Sequence, residues 1–281
     1  MSQNNSMYLT LANKVCEQFQ AIDAVEAVAL GGSQTSGSLD QHSDIDVYVY
    51  LNSDIPLSAR EEIVTRLGTS KADLNLTFWD VGDEWFDLES GIEVDMIYWD
   101  KAWIEEQLQR VVFSHQACMG YTTCFWQTVV DSKILFDRQG WFTELQKKYN
   151  IAYPEQLKQA IISKNYSLLR DVIPSYYNQI KKALDRRDLI SVNHRLAALF
   201  ESYFDVLYAL NKVMNPGEKK VLPYVLKTCT QKPQNLQKQV EDMLQSAANG
   251  DKKLLEQLDL FLDDLDALLV ADKMPFATIV A

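Results

Sequence analysis

Two aspartates separated by one apolar residue, Asp44-Ile45-Asp46, carry the strongest chemical signal in the chain, with Gly32-Ser33 upstream across ten intervening residues. The run Ile45-Asp46-Val47-Tyr48-Val49-Tyr50 alternates as a strand does, and residues two apart on a strand share a face. Asp44 and Asp46 therefore project together, while Ile45 and Val47 point into a core. Two carboxylates that close repel each other unless a cation lies between them. Oxygen ligands with open coordination positions suit Mg²⁺, which is usually shared with phosphate oxygens. A bend at Gly32-Ser33 offers backbone N–H groups and a hydroxyl to a phosphate. These residues read as a site for a metal–nucleotide complex.

Transfer from such a complex also needs the attacking hydroxyl activated, a task for a further carboxylate near the metal. Asp95 is the candidate. It sits between Val94 and Met96 in a strand-like run beginning at Glu93, and an unpaired carboxylate in an apolar strand is costly. If that strand neighbours the one bearing Asp44 and Asp46, Asp95 completes a triad. Glu93 shares its face and reads otherwise as a solvated strand residue. Lys219 and Lys220 follow the stop at Asn215-Pro216-Gly217 and open a helix. A helix N-terminus beside two lysines suits a triphosphate; the alternative is a solvated charge pair. His194 reads as a helix-packing residue, and Asp263, Asp264 and Asp266 as a solvated helix face. Tyr48, Tyr50, Trp79, Trp85, Tyr98 and Trp99 could stack on a nucleobase but read as core or cross-strand packing.

The elements that must position these groups fall into two classes. Helical spacing over residues 7–22 leads into a short apolar strand, Val25 to Leu30, that ends at the glycine bend. Strands follow at 45–51, 74–79 and 93–98, with a helix from Ser58 to Leu67 that Ser58 and Glu61 would cap as a box. Asp100 caps the next helix. From residue 154 onward the pattern is helical: 154–187 broken at Pro174, then 188–214, 218–228, 233–247 and 251–272. Strands confined to one half and helices to the other predict an α+β chain, a mixed-sheet N-terminal domain followed by a C-terminal helical bundle. The expected division is 1–115 catalytic, 116–150 connector helices and 151–281 a helical substrate or lid domain.

The order of strand, Gly32-Ser33, polar loop, Asp44-Ile45-Asp46 strand and Val94-Asp95-Met96 strand resembles the nucleotidyltransferase superfamily that includes DNA polymerase β. The motifs cover the chain to about residue 100. The helical second half is similar to the small-molecule branch, the aminoglycoside and lincosamide nucleotidyltransferases. Gly120 to Arg138 resembles the connector of such proteins, with a turn at Leu135-Phe136-Asp137. The resemblance implies that Gly32 and Ser33 hold the β- and γ-phosphates, that Asp44 and Asp46 ligate Mg²⁺, and that Asp95 shares the metal and takes the acceptor's proton. It implies movement of a nucleoside monophosphate, AMP from ATP in the simplest case, onto a hydroxyl of a small molecule such as an aminoglycoside- or lincosamide-like antibiotic. Two alternatives accompany it: an antitoxin-type enzyme that adenylylates a protein, and a nucleotide-binding module without catalysis.

Composition bounds these readings. Across 281 residues, 47% are apolar and the net charge is −12. A polynucleotide groove needs a surplus of Lys and Arg, so long DNA or RNA is disfavoured, whereas an acidic surface attracts a cationic small molecule. No apolar run is long enough to span a bilayer. The N-terminal residues lack the pattern of a signal peptide, and Cys16, Cys118, Cys124 and Cys229 are scattered as buried thiols would be. The expectation is a cytoplasmic enzyme without a membrane partner, either monomer or homodimer.

Overall fold

The computed structural model describes residues 3–31 and 44–273. The chain divides into two compact units, one of Met1–Gln109 with Thr128–Ile151 and one of Arg110–Gln127 with Ala152–Ala281. Residues 116–150, expected as a connector, are thus shared between them.

In the first unit, α1 (Gln3–Phe19) precedes β1 (Val25–Leu30) and β2 (Ile45–Leu51). Then come α2 (Leu57–Leu67), β3 (Thr69–Leu76), β4 (Gly82–Asp87) and β5 (Glu93–Asp100). The last elements are α3 (Lys101–Leu108), a π-helical turn that begins at Gln109, α4 (Cys124–Asp131), β6 (Lys133–Asp137) and α5 (Trp141–Tyr149). The strands form one mixed sheet in the order β3-β4-β5-β2-β1-β6. Among the described residues only the central pair, β2 and β5, runs parallel; the other pairs are antiparallel.

One face of this sheet holds the core. Ile45, Val47 and Val49 from β2, with Val94 and Met96 from β5 and Trp85 from β4, pack under Leu11, Val15 and Phe19 of α1 and Ile63, Val64 and Leu67 of α2. Along α1, Tyr8, Leu11, Ala12, Val15, Cys16 and Phe19 recur at three- and four-residue steps, the stripe a helix needs to cover a sheet. β1 is buried along its whole length, as a central strand covered on both faces is.

Several local expectations are corrected. The capping box at Ser58 is absent: α2 starts at Leu57 behind Pro56, with no side-chain cap bond, because proline presets its own φ for the turn into a helix. The strand expected over 74–79 runs from Thr69 to Leu76 and leaves Trp79 outside it, 91% exposed. β4 has no counterpart in the sequence reading. The turn expected at Leu135-Phe136-Asp137 is strand β6, which pairs with β1 from Ala27 to Leu30. Asp100 caps α3 as expected, accepting a hydrogen bond from Trp103 N–H at 2.8 Å.

A buried ion pair joins α2 to the sheet. Asp83 of β4 is fully buried and accepts hydrogen bonds from Arg60 Nη1 at 2.6 Å, the Tyr98 hydroxyl at 2.7 Å and the Asn75 N–H at 2.8 Å. The Arg60 guanidinium also lies 4.9 Å from the centre of the Tyr98 ring. Burial, followed by the neighbouring Asp83 charge, holds the Tyr98 hydroxyl well above its ordinary range.

The second unit is helical after residue 151: α6 (Glu155–Leu169), α7 (Tyr176–Arg186), α8 (Leu189–Leu210), α9 (Val221–Thr228), α10 (Leu236–Asn249) and α11 (Lys253–Ala271). The break near Pro174 is real, with Ser175 capping α7. Tyr203 of α8 stacks on Phe261 of α11 with ring centres 3.9 Å apart. The Asp263–Asp266 face is not merely solvated. Arg170 pairs with both Asp263 and Asp266, and the Tyr166 hydroxyl donates to Asp266 at 2.6 Å, so α11 is tied to α6. His194, expected to pack, is exposed on α8.

Buried Asp205 organises the loop before α4. It accepts the Thr122 hydroxyl at 2.6 Å and the Asn215 side-chain amide at 2.9 Å, and burial raises its carboxyl above the ordinary range. Asp205→Ala leaves the Thr122 and Asn215 donors unpaired and is expected to cost about 1–3 kcal/mol of the second unit's stability. Urea unfolding followed by circular dichroism checks this. Among the described residues no helix is long and apolar enough to cross a membrane.

Candidate active site

The face of the sheet opposite α1 and α2 carries the acidic residues. In β2 burial alternates: Ile45 and Val47 are buried, Asp46 and Tyr48 half-buried. β5 repeats the pattern, with Val94 and Met96 buried and Glu93, Asp95 and Ile97 half-buried. The parallel register pairs Asp46 directly with Asp95. Paired positions on neighbouring strands share a face and lie about 4.8 Å apart across the ladder. Asp95 thus stands beside Asp46 on the same side of the sheet, and Asp44, also half-buried, immediately precedes β2.

The row continues outward. Glu84 of β4 pairs with Asp95, and Asp73 of β3 pairs with Glu84. Asp46, Asp95, Glu84 and Asp73 therefore line one transverse row over four adjacent strands. Asp73, at the edge, is engaged with Lys71 at 3.2 Å. Glu84 was not foreseen because its strand was not. The available signal was alternation about Trp85, masked by the charges at Asp83, Glu84 and Asp87.

On the other side, the Gly31 N–H donates to the Asp46 carbonyl at 2.9 Å. The β1–β2 ladder is thereby prolonged to the residue before Gly32. Gly32 and Ser33 themselves lie outside the described residues. Below the acidic row the same face turns aromatic: Tyr48 packs on Trp99 at 4.7 Å between ring centres, and Tyr50 on Phe142 at 4.5 Å. This wall, with α5 behind it, confines the polar part of the face to the Asp46–Asp95 end.

Lys219 and Lys220 belong to the second unit, in the turn before α9, where Lys220 takes a left-handed φ of 55°. The expectation that they anchor a triphosphate rests on the sequence alone.

Among the described residues, no three His, Cys, Asp or Glu side chains form a group able to hold a metal ion by themselves. The donors present nevertheless suit Mg²⁺. They are all carboxylate oxygens, and this ion commonly takes one or two protein carboxylates and fills its other positions with water and substrate phosphate.

Residues 10–118 match the family model of the nucleotidyltransferase domain. The matched segment contains Asp44, Asp46, Glu84 and Asp95, so the first half of the chain is similar to a nucleotidyltransferase domain. Residues 123–220 match a second family model, a domain of unknown function (DUF4037). Among solved structures, a nucleotidyltransferase-like protein from Exiguobacterium sibiricum is similar, with 12% identity over 91% of this chain and 72% of the other and a TM-score of 0.43. No curated protein matches.

Proposed function

We propose that this protein is a Mg²⁺-dependent nucleotidyltransferase that moves a nucleoside monophosphate, AMP from ATP in the simplest case, onto a hydroxyl of a small molecule. The observation that carries the reading is the direct pairing of Asp46 with Asp95 on the half-exposed face of a nucleotidyltransferase domain. Asp44, Asp46 and Asp95 would hold the ion, which supplies neutralisation of charge on the entering and leaving oxygens. Asp95 accepts the proton of the acceptor hydroxyl. The freed oxygen forms a bond to the α-phosphorus, the bond from that phosphorus to the α,β-bridging oxygen breaks, and pyrophosphate leaves. Gly32 and Ser33 would bind the outgoing phosphates.

The acceptor we infer is positively charged. Glu84 and Glu93 add carboxylates to the face beyond those assigned to the ion, and the chain is acidic overall at −12; both favour a cation. An aminoglycoside-like amine fits that chemistry. Incubation with α-phosphate-labelled nucleoside triphosphates, Mg²⁺ and a panel of aminoglycosides and lincosamides tests it. Label is expected on a cationic acceptor; absence of pyrophosphate release with every nucleotide and acceptor would remove the enzymatic reading.

Glu84→Gln keeps the size of the side chain and removes its charge. It is expected to raise KM for a cationic acceptor about 10- to 100-fold, the worth of one charged hydrogen bond, while KM for the nucleotide stays unchanged. Steady-state kinetics with each substrate varied in turn checks the split.

A further inference from the structure

Gly82 opens β4, two residues before Glu84, and its Cα has no room for a side chain. A Cβ built there would lie 2.8 Å from the Met96 carbonyl oxygen and 3.9 Å from the carbonyl carbon. The first distance is far inside van der Waals contact, and the obstacle is main chain, which cannot swing aside as a side-chain tip does. The φ of Gly82 is not left-handed, so glycine is required by space rather than by backbone conformation. The register shows what the close approach serves. Gly82 pairs with Ile97 and Asp83 with Met96, and the ladder runs on without a shift through Glu84–Asp95 to Phe86–Glu93. Both flanks of Gly82 are held. The Val81 carbonyl accepts the Tyr98 N–H at 2.9 Å, and buried Asp83 is bound by Arg60, the Tyr98 hydroxyl and the Asn75 N–H.

We propose that Gly82 is a positioning residue: the absence of a side chain there lets β4 close on β5 and fixes the separation between Glu84, which holds the acceptor's cation, and Asp95, which takes its proton. Directly opposed residues of an antiparallel pair have Cβ atoms about 4.5–5.5 Å apart, so one acceptor has to span a gap of that order between its cationic group and the attacking hydroxyl. A side chain at 82 forces the two strands apart. β5 is the less able to move, because its other side is paired with β2 from Val94 to Asp100 without a shift. The other neighbour of β4 is the edge strand β3, and its register with β4 shifts twice. The displacement therefore falls on β4. Glu84 draws away from Asp95, while Asp95 keeps its place beside Asp46. The inference rests on the nucleotidyl-transfer reading and on the role given there to Glu84.

The test is a double-mutant cycle on the full chain, read by steady-state kinetics with ATP, GTP, CTP and UTP, each with Mg²⁺, and the same panel of aminoglycosides and lincosamides. Gly82→Ala is expected to raise KM for a cationic acceptor by about tenfold, the scale of a forced overpacking, and to leave KM for the nucleotide within about twofold. In the Glu84→Gln background the group being positioned has lost its charge, so adding Gly82→Ala is expected to change acceptor KM by less than about twofold. A tenfold rise in that background too overturns the proposal, as does an equal rise in nucleotide KM, or a Gly82→Ala protein that keeps the parent's acceptor KM. If Gly82→Ala does not fold, Glu84→Asp decides. It withdraws the carboxylate by one methylene, and β4 cannot follow inward because Gly82 is already against the Met96 carbonyl. Acceptor KM should then rise as far as in Glu84→Gln, and a parent-like value overturns the proposal. Absence of pyrophosphate release by the parent with every nucleotide and acceptor overturns the nucleotidyl-transfer reading and this inference with it. An active parent whose Glu84→Gln variant keeps the same acceptor KM overturns this inference alone.

Discussion

Asp95→Asn is expected to reduce nucleotidyl transfer by about 10²- to 10⁴-fold, the usual worth of a positioned general base. The substitution preserves shape and hydrogen-bonding capacity but cannot take a proton at neutral pH. The register predicts more than a loss of rate. Asp95 lies between Asp46 on β2 and Glu84 on β5's other neighbour, β4, and like charges so close repel each other. Removing one eases that repulsion, so nucleotide affinity should fall much less than turnover. Single-turnover kinetics together with calorimetric titration of nucleotide separates the two. A variant with full activity would refute the assignment, and equal losses in affinity and turnover would make Asp95 a binding group rather than a base.

Asp83→Ala is expected to cost about 3–5 kcal/mol, because it leaves the Arg60 guanidinium buried without its charge partner. The pair is 6% and 0% exposed at the two side chains, so water cannot take over. Three elements lose an anchor together: α2 through Arg60, β5 through the Tyr98 hydroxyl, and the end of β3 through Asn75. Since Glu84 follows Asp83 and Asp95 pairs with Glu84, the acidic row should lose its register as the network fails. Arg60→Met with Asp83→Leu replaces the pair by apolar groups and is expected to recover most of the stability. Urea unfolding monitored by tryptophan fluorescence measures both. An Asp83→Ala midpoint equal to the parent's would show that the network contributes nothing.

The parts of this fold that show in the sequence are those whose side chains alternate cleanly. β2 and β5 are central strands with buried apolar residues on one face, and their alternation survives in the residues themselves, while β1, buried along its whole length, shows as a short apolar run. The Asp44-Ile45-Asp46 spacing is readable for the same reason, since a two-residue repeat alone predicts that the pair shares a face. Asp95 is readable because Val94 and Met96 flank it. β4 hides because its core-facing positions include Asp83 and Asp87, both buried. A buried carboxylate satisfied by an arginine far along the chain looks locally like a solvated loop. Glu84 was lost with its strand. β6 has five residues, none of them fully buried, and too short an alternation to separate a strand from a turn. The acidic residues within α11 looked solvated because their partners, Arg170 and Tyr166, lie about a hundred residues away in sequence. In each case the missing information is a long-range partner, which only the folded chain supplies.

The most direct test of the metal-centred account is a crystal grown with Mn²⁺ and a non-hydrolysable analogue of the nucleotide the protein binds, examined by anomalous scattering. The account predicts a manganese peak within coordinating distance of the carboxylates of Asp44, Asp46 and Asp95, with triphosphate oxygens completing the shell and Gly32-Ser33 against the terminal phosphates. A peak that leaves Asp95 outside the shell, or nucleotide bound on the α1–α2 side of the sheet, would contradict it.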